Sequence, residues 1–178
     1  MMAGFVADCL TGLALIVAGL AWGHMLWPWA LLTVCAGLVI FSFIEYAAHR
    51  WLFHGRKGPF VRGHARHHRN PTGYDALPFF LPPLFMLALA ALFALALAPG
   101  YDLLLVGAVA AGYAVYGISH YVMHVHRFKS ALLQRWVAFH DMHHRRPRTN
   151  FGVTTALWDV ILGTRYRVAA SDAASDRH

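Results

Sequence analysis

Ten of the thirteen histidines in this chain fall into four groups. His49 and His54 stand in His-Arg-Trp-Leu-Phe-His, and His64, His67 and His68 in His-Ala-Arg-His-His. His120 and His124 stand in His-Tyr-Val-Met-His, and His140, His143 and His144 in His-Asp-Met-His-His. Residues three and four apart share one face of a helix. His64, His67 and His68 therefore project together, as do His140, His143 and His144, while His120 and His124 form an i, i+4 pair. His49 and His54 are five apart, about 140° around a regular helix. One of them must sit where the helix ends or unwinds, and Gly55 points to His54. Imidazole suits iron, zinc, copper and nickel, and ten of them exceed what one ion needs. The expectation is two metal ions with about five ligands each. A single histidine near a membrane is ordinarily an interfacial or hydrogen-bonding residue. Ten polar groups gathered there need a shared purpose, because burying them beside lipid is costly. His24 and His178 lie outside the pattern, and His126 closely follows the His120 group.

A ligating imidazole donates its other N–H to a partner that fixes its orientation. Glu45, one turn before His49, is a candidate for that role. So are Asp141, inside the last His-x-x-His-His, and Asn150 and Asp159 beyond it. Each of these side chains could instead cap a helix or pair with an arginine.

The elements that must position these groups are apolar stretches long enough to be membrane spans, about 20 residues each. They run from Phe5 to Trp22, from Pro28 to Ala48, from Pro78 to Ala98 and from Leu103 to Val122. The first lacks the basic flank of a signal peptide and reads as a retained helix. Pro28 suits a first helical turn, and Pro99-Gly100 marks a turn between the third and fourth stretches. Trp22, Trp27 and Trp29 flank the first short loop as an interfacial aromatic belt would. Segments 55–73 and 125–168 mix cations, histidines and aromatics, the composition of short helices packed at a membrane face. The fold class expected is all-α: an integral membrane protein with about four transmembrane helices and a cytoplasmic histidine-rich helical cap. One domain covers residues 1–168, and the small, polar stretch 169–178 reads as a disordered tail.

Composition agrees with this assignment: 58% of residues are hydrophobic and 13% charged. Soluble domains carry about 25% charged residues. The net charge of +7 comes from cations beside apolar stretches. That placement fits anionic lipid headgroups and argues against nucleic acid as a partner. All fifteen Lys and Arg follow the second or the fourth span. The positive-inside rule then makes that side cytoplasmic, with both termini and the histidines on it, in what is expected to be the inner membrane. Cys9 and Cys35 lie inside apolar runs and form no CxxC pair.

Those residues carry a resemblance. Glu-Tyr-Ala-Ala-His-Arg-Trp-Leu-Phe-His (residues 45–54) resembles the first histidine box of the fatty acid hydroxylase superfamily, which also contains sterol desaturases. The run from Gly112 through Tyr116 to His120, Tyr121 and His124 is similar to its third box. The stretch from His140 to Thr164, with Phe151-Gly152-Val153-Thr154-Thr155 and Leu157-Trp158-Asp159, resembles its closing segment. The resemblance extends from about Glu45 to Thr164. It implies two iron ions, with zinc able to occupy such sites, O₂ as oxidant and a lipid substrate, most simply a fatty acyl chain. The ligands it implies are the ten clustered histidines. Some eukaryotic members carry a fused cytochrome b5-like domain that nothing here matches, so a separate electron-donor protein is expected.

An oxygenase also follows from the chemistry of such a substrate. A lipid C–H bond offers no acidic proton or leaving group, so hydrolytic chemistry cannot touch it. Hydroxylation or desaturation remains, and a sterol or carotenoid is the competing substrate. A bis-histidine haem protein would need a few paired histidines on opposing spans. A non-catalytic metal-binding or transport protein would want polar ligands at mid-span, where there are almost none.

Overall fold

In hydrocarbon every backbone N–H and C=O must find a partner within the chain, so long apolar segments become helices. The computed structural model describes residues 2–72 and 80–167. Within them the chain forms α1 (Met2–Gly23), α2 (Trp27–Ala47), a π-helical turn (Ala48–Phe53) and α3 (Pro59–Arg69). Then follow α4 (Leu81–Phe93), α5 (Tyr101–Val125), α6 (Ala131–Arg145) and the short α7 (Leu157–Ile161). Among the described residues three helices are long and apolar enough to cross a membrane: Ala3–Gly23, Trp27–Phe53 and Tyr101–Val125.

The third expected span differs from the other three. Its helix α4 has 13 residues, about 20 Å against the roughly 30 Å of a bilayer core. Beyond Phe93 the chain tightens into turns, with Leu95 N–H donating to Leu92 O and Ala96 N–H to Phe93 O. Pro99 then bars a return to helix before the turn, because it disfavours helical backbone at Ala98. The expected start at Pro78 and the expected tail at 169–178 lie outside the described residues. Helix α4 still packs Met86 and Ala90 into the core of the bundle. Asn70 ends α3 beside the histidines, whereas Gly100 packs against Gly19 and Gly23 at the far end of α1.

Helix α5 is the central post, packed against α1 on one side and α2 on the other. Lipid tails are as apolar as leucine, so helix association here depends on close packing of small residues. A Cβ added at Gly19 would lie 2.7 Å from Leu104 N, and one at Gly37 2.6 Å from Ala108 Cβ. These positions let the three backbones approach and bury Leu15, Phe41, Val106, Val109 and Ala110 with Met86 and Ala90 of α4. Gly100 opens α5 in the left-handed region at φ 88°, and its N–H donates to Asp102 Oδ1 at 3.0 Å. Trp22, Trp27 and Trp29 are exposed around the α1–α2 loop, at the end opposite the histidines.

At the histidine end α3 and α6 terminate alike. His64 to Pro71 and His140 to Pro147 both read His-x-x-His-His-Arg-x-Pro. The residue before each proline leaves helical geometry, Asn70 at ψ 79° and Arg146 at ψ 78°. Proline disfavours helical backbone at the preceding residue, so one device stops both helices.

Candidate metal centre

The helix does not unwind between His49 and His54. It widens into a π-helical turn in which His54 N–H donates to His49 O at 3.1 Å. A π turn of this kind brings residues five apart onto one side, and the two rings stand 5.2 Å apart. His54 then leaves the helix, as Gly55 suggests. A Cβ at Gly55 would strike the Trp51 carbonyl, so the exit path requires glycine there.

The ten histidines assemble into two groups of five. His49, His54, His64, His68 and His143 form one, and His67, His120, His124, His140 and His144 the other. Within each group the potential ligand atoms lie within 4.8 Å of one another. Neither His-x-x-His-His serves a single group. The outer pair His64 and His68 joins the first group while His67 joins the second; His140 and His144 join the second while His143 joins the first. Adjacent helical residues diverge by about 100°, so His67 and His68 point to opposite sides of His64. The groups are thus related by the same approximate two-fold repeat as the helices that build them.

The donor atoms fit metal ions and fit hydrogen bonding among themselves poorly. His64 Nε2 lies 3.0 Å from each of His49, His54 and His68 Nε2, and His143 Nε2 lies 3.0 and 3.1 Å from those of His54 and His68. A neutral ring nitrogen donates at most one hydrogen bond, so this set of contacts cannot be satisfied by imidazoles alone. Two nitrogens about 2.1 Å from one ion and at right angles to it stand about 3.0 Å apart; a tetrahedral pair would be about 3.4 Å apart. In the second group His140 Nε2 is 3.1 Å from both His124 and His144 Nε2. His120 Nε2 there is buried without a hydrogen-bond partner.

The rings are held as neutral bases. Burial, with the neighbouring imidazoles adding to it, pushes His54 down to about 4 and His144 to about 2. His143 is pushed down to about 3 by burial, against the opposing hydrogen bond to the Thr149 backbone. His64, His68 and His140 are lowered for the same first reason, burial. A neutral imidazole with its Nε2 lone pair directed inward is the form that binds metal.

Two of the other ring nitrogens find backbone carbonyls, while His140 Nδ1 is buried without a hydrogen-bond partner. His49 Nδ1 bonds to Phe151 O, and His143 Nδ1 to Thr149 O at 2.8 Å. Glu45 and Asp159, expected beside the imidazoles, act one bond further out. Glu45 accepts from Val153 N–H, Thr154 N–H and the Thr154 hydroxyl. Asp159 accepts from Phe151 N–H at 2.8 Å, Gly152 N–H at 2.7 Å and the Thr164 hydroxyl at 2.6 Å. The two carboxylates clamp the 151–154 backbone whose carbonyl receives His49. Asn150 turns the chain at φ 55°; its side chain donates to Phe139 O and accepts from Tyr166 N–H. Asp141 is exposed, and its charge acts on His124.

Several contributors carry no signal in residue type. Thr149 and Phe151 act through carbonyls, which every residue possesses. Tyr46 is fully buried, with its hydroxyl bonded to Thr164 Oγ1 at 3.0 Å and receiving Arg50 at 2.8 Å. Trp136 donates to Val153 O and Trp158 to Ser42 Oγ, fastening the 150–166 segment to α6 and α2. The remaining described histidines stand apart: His24 follows α1 at the far end, and exposed His126 packs on Phe128. His178 lies outside the described residues.

Comparison with known proteins follows the same residues. The family model for fatty acid hydroxylases matches residues 34–164. The chain is 29% identical to the dihydroceramide fatty acyl 2-hydroxylase FAH2 of Arabidopsis thaliana, over 75% of this chain and 60% of that protein. It is 32% identical to a fatty acid 2-hydroxylase of Rattus norvegicus, over 72% of this chain and 38% of that protein. A solved structure of full-length Scs7p, in which only the hydroxylase domain is visible, superposes with a TM-score of 0.71 at 26% identity. That match covers 91% of this chain and 65% of the other. The chain therefore spans less than two thirds of the length of each of these relatives.

Proposed function

The chain belongs to the fatty acid hydroxylase family, and from that premise we propose that it is a membrane-bound, O₂-dependent hydroxylase of lipid acyl chains. The observation that carries this reading is the convergence of ten imidazoles into two groups of five at one end of a membrane bundle. The proposed ligands are His49, His54, His64, His68 and His143 for one iron ion, and His67, His120, His124, His140 and His144 for the other; zinc is the ion expected to replace iron in aerobic preparations. When bound, the two irons would supply the O₂-reducing chemistry that an unactivated C–H bond demands.

The reaction inserts one oxygen atom of O₂ into a C–H bond, and the second atom leaves as water. Two electrons and two protons come from a separate donor protein. The names of the relatives speak for a fatty acyl chain over a sterol or carotenoid, and for the carbon next to the carboxyl carbon. The protein's part is to fix ten donors in place, through the π-helical turn, the paired helix stops and the carboxylate-clamped 151–154 backbone. The cations flanking α3 and α6 support a cytoplasmic position for the centre in the inner membrane, within reach of a cytosolic reductant.

The test is lipid mass spectrometry of cells with and without the gene, grown under ¹⁸O₂. A hydroxylated acyl species gaining one ¹⁸O atom is the expected result. Products that keep oxygen from water, or no change in the lipids of cells holding the metal-loaded protein, would defeat the reading.

A further inference from the structure

Beside the first histidine group lies an open cavity of about 520 Å³, lined by Arg50, Trp51, His54, Arg56, Arg148 and Phe151 among others. Three arginines from separate segments converge on it: Arg50 in the π-helical turn, Arg56 in the following loop, and Arg148 beyond α6. Arg50 is already ordered, since it donates to the buried Tyr46 hydroxyl and its guanidinium lies over the Trp51 ring at 5.5 Å. A guanidinium carries five donors, so one bond to Tyr46 leaves most of that fork for a ligand. Among the described residues no carboxylate pairs with Arg56 or Arg148. Among the described residues that line it, the cavity therefore presents positive charge and no carboxylate.

Its depth in the membrane follows from the sequence of elements. Trp51 is 57% exposed and lies in the last turn of a span that ends at Phe53. An exposed tryptophan at the end of a span marks the headgroup level. His54 both lines the cavity and belongs to the metal-binding group. A ligand head held by the arginines thus lies against one of the metal groups.

We propose that this cavity binds the carboxylate of an unesterified long-chain fatty acid and so selects an anionic acyl lipid as substrate. The inference rests on the hydroxylase reading and narrows it. Planar arginine forks match a carboxylate in two parallel bonds. In a free fatty acid the second carbon is bonded directly to the carboxylate carbon, so holding the head also positions that carbon. A phosphate headgroup would sit several bonds from the same position.

The test is equilibrium binding of radiolabelled palmitate to the purified full-length chain in neutral detergent, with palmitamide and inorganic phosphate as competitors. Palmitate should bind about tenfold more tightly than palmitamide, a difference on the scale of one charge-assisted contact. In the double variant Arg56→Gln, Arg148→Gln that preference should fall to about one while bound metal is unchanged. Equal binding of acid and amide, or a preference that survives in the variant, would overturn the proposal. So would displacement of palmitate by millimolar phosphate, which would make the site one for phosphate. A variant that binds palmitate normally but accepts electrons more slowly would assign the arginines to the donor protein, and would overturn it too. Binding needs no turnover. Selective binding without ¹⁸O incorporation would leave this inference standing while the hydroxylase reading fell.

Discussion

The rings of His68 and His144 stack at 4.4 Å with 27° between their planes, although they belong to different histidine groups. The contact joins α3 to α6 and places the two groups side by side. His68→Ala should therefore disturb both: its own group loses a ligand, and His144 loses the ring that supports it. Metal analysis of the purified variant should show fewer ions per chain, with activity reduced by about a hundredfold or more. His126→Ala, outside both groups, should keep its metal and most of its activity. Full metal occupancy in the His68 variant would contradict the ligand assignment.

Glu45 reaches the centre through backbone. Its carboxylate accepts from Val153 and Thr154, and Phe151 O two residues earlier receives His49. Glu45→Ala should weaken metal retention by about 10- to 100-fold, the usual cost of losing such a supporting contact. Glu45→Gln keeps one carbonyl acceptor and should fall between. Competition with a graded chelator measures the order; an alanine variant as retentive as the parent would remove Glu45 from the argument.

The seam between α1 and α5 makes a prediction about folding. At Gly19 an added Cβ meets the Leu104 backbone N at 2.7 Å and Gly100 O at 2.8 Å, neither of which can swing aside. Gly19→Ala should destabilise the protein by about 1–3 kcal/mol, the usual cost of overpacking. Gly117, on the same helix as Leu104, has nothing within 4 Å of an added Cβ. Gly117→Ala should be neutral or stabilising by up to about 1 kcal/mol, since alanine suits a helix better than glycine. Thermal unfolding in detergent decides; equal effects would refute the close packing.

Acid should remove the metal late. Protons compete for an imidazole only below its own pKa, and burial holds His54 down to about 4 and His143 to about 3. Lowered values move that competition toward acid, so bound metal should stay constant from neutrality to about pH 5 and fall as the pH approaches 4. Loss centred near 6.5, the ordinary imidazole value, would mean that the rings are solvated.

The sequence made some of this legible and hid the rest for definite reasons. All ten clustered histidines were visible, because a rare residue type recurs at helical spacing. Their division between two groups was not, because a shared helix face does not say which neighbour His67 meets and which His68. The π-helical turn was half visible: the five-residue spacing of His49 and His54 demands a departure from the regular helix, but not its kind. Glu45 and Asp159 were recognisable as important carboxylates, yet their partners are backbone N–H groups over a hundred and about eight residues away in sequence. The carbonyls of Thr149 and Phe151 leave no mark in residue type. The shortness of α4 was also hidden, since hydropathy reports solvent preference and not where the backbone leaves the regular helix.

The exchange of histidines between α3 and α6 also sets an order of assembly. The first group lacks a member until His143 has been made, and the second lacks two until His140 and His144 have been made. Both groups are thus completed by one late helix, which follows the three long spans of the described residues. A nascent chain carries no finished centre while it is being inserted into the bilayer, and the two groups close within a few residues of each other. Under the proposed ligand assignment, metal acquisition is therefore a closing event of biogenesis, with α6 as the clasp.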